Sequence, residues 1–175
     1  QIHAVSELNS VGAFYSFITK ALGFTPHRHE GKVTGLAARG THTELCNVFI
    51  SCIRFDTESG NIICEYGDYY LPFIRAELPK LKKLLLNYSK EDIAYAAQYV
   101  LEKVLIEYLT FHVSLNSPNE TINLCLAGGI FANVKLNYEI SQLNFVDSIF
   151  VAQNMGDGGI ALGGAIHSMV SLTDN

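Results

Sequence analysis

The sequence has no tryptophan, only two methionines and four prolines, and no apolar run near the roughly 20 residues that cross a bilayer. A helical membrane span is therefore excluded. The opening residues, QIHAVSELNS, carry no signal-peptide pattern. They also lack an initiating methionine, as expected of a piece cut from a longer polypeptide. The four cysteines form no C-x-x-C pair, and their spacings suit no usual zinc site. Cys52, Cys64 and Cys125 lie in apolar, strand-like runs, which predicts reduced, buried thiols in a cytoplasmic protein. The formal net charge of -5 removes the broad basic footprint of a nucleic-acid partner, although a local basic site stays open. No G-K-[ST] phosphate loop, no G-x-G-x-x-G and no H-x-x-x-H occur.

What is present suffices for a core. Hydrophobic residues make up 49% of the 175 and charged residues 17%, which predicts one ordinary domain over residues 1–175. Residues 10–23 read as a helix, capped by Ser10 and ended by Gly23. Pro26 breaks the chain, and 30–38 reads as a short helix closed by Gly40. Residues 48–55 and 62–66 read as strands joined by the turn DTESGN. Residues 73–86 look helical, with a stop or kink at Pro79. A longer helix spans 89–113, opened by Ser89 and Asp92, with an apolar stripe from Ile93 to Leu109. The last third alternates: strand 122–127, helix 131–143, strand 148–153, helix 159–171. That order predicts an α/β sheet with helices packed on it.

Each of those strands runs into glycines. Gly128 and Gly129 follow INLCLA, where α/β sheets tend to bind ligands beyond the carboxyl ends of their strands. A glycine there takes φ > 0, leaves room for a ligand, and sits beside the unpaired N–H groups of a helix start, which suit phosphate. A tight strand-to-helix turn needs the same residues. Asn133 and Asn137 lie one turn apart on the next helix. An amide there could serve a ribose or phosphate, while Asn137 reads better as a polar face in solvent. Asp157, among Gly156, Gly158 and Gly159, could hold a divalent metal or cap the following helix.

Four stretches in one order, SVGAFYSFITKALGF, HEGKVTGLAARG, LCLAGGIFANVKLN and IFVAQNMGDGGIALGGAI, resemble the carbamoyltransferases of the nodulation-protein-U type. The resemblance covers nearly the whole chain and is least distinct over residues 41–90. It implies one lobe of an actin- and sugar-kinase-like (ribonuclease-H-like) ATPase fold. It implies an enzyme that makes carbamoyl-adenylate from ATP and carbamoyl phosphate and carbamoylates a hydroxyl of a sugar or natural product. By the same resemblance, Gly128, Gly129 and Asn133 match the nucleotide loop. Asp157 matches an aspartate ligand of a divalent metal, iron or magnesium. Glu30, Lys32 and Gly35 match a motif placed beside the nucleotide, or else an amphipathic helix with a surface Glu–Lys pair.

The departures from the family pattern matter as much. Its metal-binding histidine pair is absent; His27 and His29 sit in a loop, as metal ligands or as solvated side chains. In the family's order that pair and the first lobe's phosphate loop precede residue 1, and a further domain follows residue 175. The chain is thus expected to be a second lobe that folds but does not catalyse alone, with an exposed lobe interface that favours self-association. No residue reads as a general base for the acceptor hydroxyl. Two alternatives are a non-catalytic nucleotide-binding or interaction module, and a relative of the enzymes that make threonylcarbamoyladenosine on transfer RNA.

Overall fold

The computed structural model describes residues 3–65, 67–71 and 78–173. The chain divides into two compact units, Gln1–Pro118 and Asn119–Asn175.

The first unit is built on a long helix. Its elements are α1 (Val11–Ala21), α2 (Glu30–Ala37), α3 (Glu44–Cys52), the hairpin β1 (Ile53–Asp56) and β2 (Asn61–Cys64), α4 (Pro79–Leu85) and α5 (Lys90–Asn116). The α5 helix starts where the sequence signals it, with Ser89 Oγ accepting from Asp92 N at 3.0 Å. Asp92 in turn accepts from the Thr41 N–H at 2.9 Å, tying the α2–α3 loop to the helix start. The Ser89 hydroxyl first, and then Thr41, hold the Asp92 carboxyl below the usual carboxylate range. Ile93, Ala94, Ala96, Ala97, Val100, Leu101 and Val104 are buried, and α1, α2 and α3 pack on this face. Burying each large apolar side chain contributes roughly 1.5–3 kcal/mol.

The α1 helix is capped by Ser10, whose Oγ accepts from Ala13 N at 3.2 Å. It buries Val11, Phe14, Tyr15 and Ile18. Phe14 meets Phe49 and Tyr70 edge-on, with ring centroids 5.3 Å and 5.0 Å apart.

The expected strand 48–55 is half wrong. Residues through Cys52 are helical, because Thr43 Oγ1 accepts from Leu45 N and Leu45, Cys46, Phe49 and Cys52 form one buried face. Packing on α5 overrides the β propensity of VFISCI, and strand geometry begins only at Ile53. The hairpin is antiparallel with Asp56 opposite Asn61. Asp56 Oδ2 accepts from the Ser59 N–H at 3.0 Å, and Gly60 turns with φ +67° against Phe111.

Pro79 does not kink α4. It opens α4 at the first helical turn, where its missing N–H leaves no intrahelical bond unmade. Residues 73–77 of the expected helix lie outside the described residues.

The second unit runs β3 (Ile122–Leu126), a 3-10 turn (Gly129–Ala132), α6 (Val134–Ser141), β4 (Val146–Val151), a second 3-10 turn (Asp157–Gly159) and α7 (Ile160–Thr173). The strands pair in parallel, from Asn123 opposite Ser148 to Leu126 opposite Val151. Leu126, Leu136 and Ile140 are buried here. The expected α/β alternation is present, but the helix placed at 131–143 starts later, because Asn133 caps α6. The α/β class holds. Among the described residues the strands form two separate two-stranded sheets.

Cys46, Cys52 and Cys64 are buried as expected, but Cys125 is exposed, a correction to the sequence reading. Alternate residues of β3 face outward, and Cys125 lies on that side. Burial pushes the thiol of Cys52 up to about 11 and that of Cys64 up to about 12. The native protein should therefore react with iodoacetamide at pH 8 at Cys125 alone, as peptide mass mapping would show. Rapid labelling of Cys52 or Cys64 without denaturant would contradict their placement. With both folded values raised, the two thiols favour the folded state below the ordinary thiol range. That contribution fades as pH climbs from about 9 toward 11 and 12.

Two glycine substitutions should have opposite signs. A Cβ on Gly40 would stand 2.1 Å from Glu91 O, so Gly40→Ala should destabilise by about 1–3 kcal/mol in urea unfolding. A Cβ on Gly35 meets nothing within 4 Å, so Gly35→Ala should stabilise α2 by about 0.5–1 kcal/mol.

Candidate functional site

Parallel pairing puts the carboxyl ends of β3 and β4 at the same edge of their sheet. Ala152 N donates to Leu126 O at 2.9 Å at that edge, and both strands leave through glycine loops. One further bond joins the loops: Gly128 N donates to Met155 O at 2.6 Å. The two bends therefore form one rim.

The glycines of this rim answer to different constraints. Gly128 has φ +112° and ψ 149°, a conformation that residues with side chains rarely adopt. Packing requires Gly159, where an added Cβ would clash with backbone, while at Gly158 it would meet the end of the Asn154 side chain, which can move. A Cβ on Gly158 would come within 2.3 Å of Asn154 Nδ2, and one on Gly159 within 2.4 Å of Asn154 O. Asn154 itself turns with φ +51°. Gly129 and Gly156 meet neither constraint, for a Cβ there finds nothing within 4 Å and φ is not positive. Gly129 is exposed at the start of the 3-10 turn, and no side chain caps that turn. Its bare backbone leaves room for a group that must approach closely.

Asn133 Oδ1 accepts from Leu136 N at 3.0 Å, so this side chain caps α6. Asn137, read from sequence as a solvated face, is half-buried instead. Its Nδ2 donates to Phe131 O at 2.8 Å, across the 3-10 turn. Its signal in the sequence is only its place one turn after Asn133. Asp157 is exposed in the first turn of the second 3-10 segment, and among the described residues its carboxylate accepts no hydrogen bond. The capping alternative thus has no bond behind it.

The other predicted residues belong to the first unit. Glu30 Oε1 accepts from the Ser16 hydroxyl at 2.9 Å and from His27 N at 2.6 Å. The expected surface Glu–Lys pair is not formed, since Glu30 fastens the start of α2 to α1. Lys32 is exposed, with Nζ 5.8 Å from the Phe24 ring. Gly31 and Gly35 lie one turn apart on the same open side of α2. The opposite side of that helix is fixed by Val33 and Ala37, both buried, and by Thr34, which meets the Tyr15 hydroxyl at 3.0 Å. Burial pushes the Tyr15 phenol up to about 12, so it stays protonated and donates to Gln98 Oε1 at 3.0 Å.

No metal site is complete. Among the described residues no group of three or more histidines, cysteines and acids could hold an ion. His29 Nδ1 accepts from Thr25 N at 3.1 Å, so it serves its own loop. A lone Asp157 carboxylate supplies one ligand, fewer than a divalent cation needs. The rim can supply backbone donors, an open surface and one negative charge.

The family model described as Carbamoyltransferase N-terminus matches residues 1–166. The chain belongs to this family. Two proteins of Methanocaldococcus jannaschii, Uncharacterized protein MJ1058 and Uncharacterized protein MJ1051, are 31% and 33% identical over 95% of the chain. Nodulation protein NolO of Bradyrhizobium diazoefficiens is 28% identical over 95% of the chain. The chain spans only 26%, 31% and 29% of these three relatives' lengths. No helix among the described residues is long and apolar enough to cross a membrane.

If Asn133 acts as a cap, Asn133→Ala should cost about 1 kcal/mol in denaturant unfolding. Asn133→Asp should retain most of that stability. Equal losses in the two variants would take the cap role away from this side chain.

Proposed function

We propose that this chain is one lobe of an actin- and sugar-kinase-like ATPase domain in an ATP-dependent O-carbamoyltransferase. The observation that carries this reading is the shared rim, with the Gly128 N–H bonded to Met155 O at 2.6 Å beside the open Gly129 turn. Membership of the carbamoyltransferase N-terminus family supports the transferred group. In this reading the Gly128–Gly129 backbone approaches the phosphates of ATP, and Asn133 holds the turn in shape. For Glu30, Lys32 and Gly35 the nucleotide role rests on the match of their stretch to the family alone.

The chemistry explains why a nucleotide is needed. Carbamoyl phosphate is a weak electrophile toward an alcohol. Joining its carbamoyl group to the AMP of ATP, with one water consumed and phosphate and pyrophosphate released, gives a mixed anhydride with a better leaving group. A hydroxyl of a sugar or natural product then attacks the carbamoyl carbon, and AMP leaves. Charge builds on phosphate oxygens, so positioned backbone donors supply most of what this lobe contributes. Asp157 is one ligand toward a divalent ion, iron or magnesium, whose other ligands lie outside the described residues. The chain alone folds and does not catalyse. The α7 surface, with Ile160, Met169 and Leu172 at 73%, 67% and 79% exposure, supports self-association of the isolated chain.

Calorimetric titration with ATP and magnesium tests the reading. The complete polypeptide that carries this sequence should bind, and the 175-residue chain should bind on the order of 100-fold more weakly. Gly129→Val in the complete polypeptide should abolish binding without unfolding it. Asp157→Ala should remove metal-dependent turnover. Unchanged ATP affinity in Gly129→Val would remove the nucleotide from this rim.

A further inference from the structure

The first unit holds a cavity of about 350 Å³ that the nucleotide reading does not use. Among the described residues α4 packs only lightly on its neighbours, and the cavity opens between α4, α1 and the start of α5. Its floor is apolar. Leu22, Leu81 and Ile93 are buried, and Phe17 and Leu85 are half-buried. Phe17 and Ala21 lie one turn apart on α1, as do Leu81 and Leu85 on α4, so each helix turns one face to the space. The volume falls within the range of small-molecule sites, roughly 300–1,000 Å³. Water between such walls finds few polar partners, so an apolar group that displaces it is favoured.

The mouth has the opposite character. Lys20, Lys82, Leu86 and Lys90 line the cavity and are exposed, so it opens to solvent between them. Among its described lining residues none is acidic. Lys20 and Lys82 sit in the last turns of α1 and α4, where a cation suits its own helix. Lys90 is the first residue of α5, where the helix dipole disfavours a cation, so helix formation does not explain that charge. We propose that this cavity binds a small amphipathic anion, an apolar chain or ring ending in an anionic group such as a carboxylate. The apolar part fills the space against Phe17, Leu81 and Ile93, and the head group lies among the three ammonium groups. A neutral apolar molecule would use the floor without the mouth, and an inorganic anion the mouth without the floor. This site and the glycine rim stand independently of one another.

Straight-chain carboxylates from butanoate to decanoate, kept below their micelle concentrations, serve as probes, with the matching alcohols as neutral controls. Titrated into the complete polypeptide that carries this sequence, each added methylene should raise carboxylate affinity by about fourfold until the cavity is full. Carboxylates should bind more tightly than alcohols of equal length, and the margin should shrink as salt rises. Lys90→Gln should cut that margin by about two- to fivefold and leave alcohol affinity unchanged. Ala21→Phe, at an exposed lining position, should abolish binding of both series. If Ala21→Phe does not fold, the methyl resonances of Leu81 and Leu85 replace it, and they should shift with decanoate and not with acetate. A carboxylate-to-alcohol ratio that Lys90→Gln leaves unchanged overturns the proposal. So does decanoate binding that survives Ala21→Phe or leaves those resonances still, and so does a complete polypeptide that binds no carboxylate.

Discussion

The parallel pairing of β3 and β4 is the constraint on which the candidate site depends. Antiparallel strands would send their carboxyl ends to opposite edges and separate the two glycine loops. Parallel strands need a crossover, here the 3-10 turn and α6, and both exits then fall on one side. The Gly128 N–H to Met155 O bond fastens the loops at that edge. With φ at +112°, Gly128 can aim its N–H sideways into the neighbouring loop. The local geometry of one glycine thus sets the shape of the rim, while Gly129 beside it provides the opening.

In the first unit α5 plays the corresponding part. Its alanines at 94, 96 and 97 keep the packing face shallow, and Gly40 uses that by letting its loop approach the Glu91 carbonyl. A buried polar chain runs across the helices: Thr34 on α2 meets Tyr15 on α1, which donates to Gln98 on α5, which donates to Glu102 at 2.8 Å. Every link has a partner, so the chain fixes helix register instead of leaving a polar group stranded. This anchoring explains how α2 keeps two glycines on an exposed side. Helix propensity there is poor, and tertiary bonds from Glu30, Val33, Thr34 and Ala37 compensate.

The sequence showed these features unevenly, and the reasons are physical. Caps at Ser10 and Ser89 were legible because each rests on a residue and its neighbours three positions on. The β–turn–α alternation of the last third was legible for the same reason. The helix through Cys52 was not, since VFISCI has strand propensity and only contact with α5 decides against it. Pro79 was ambiguous because proline breaks a helix or begins one according to where the helix starts. Cys125 misled because an apolar run does not reveal how many strands will cover it. Asn137 read better as a solvated face because its bond to Phe131 O depends on the 3-10 turn, which no spacing rule encodes. The resemblance located the glycine loops, yet only coordinates separated glycines required by φ or packing from those left open.

The second unit leaves polar and apolar groups alike uncovered within itself. Asp157 offers one charge where a cation needs several ligands, and Asn137 offers an acceptor without a donor. The α7 helix exposes Ile160, Leu162, Ile166, Met169, Val170 and Leu172, so its apolar surface lacks a cover within its own unit. A helix apolar around much of its circumference is stable chiefly when buried. The chain spans less than a third of its relatives' lengths. Under the proposed function, the contribution of this unit is the preset backbone geometry of the shared rim, in place before charge develops.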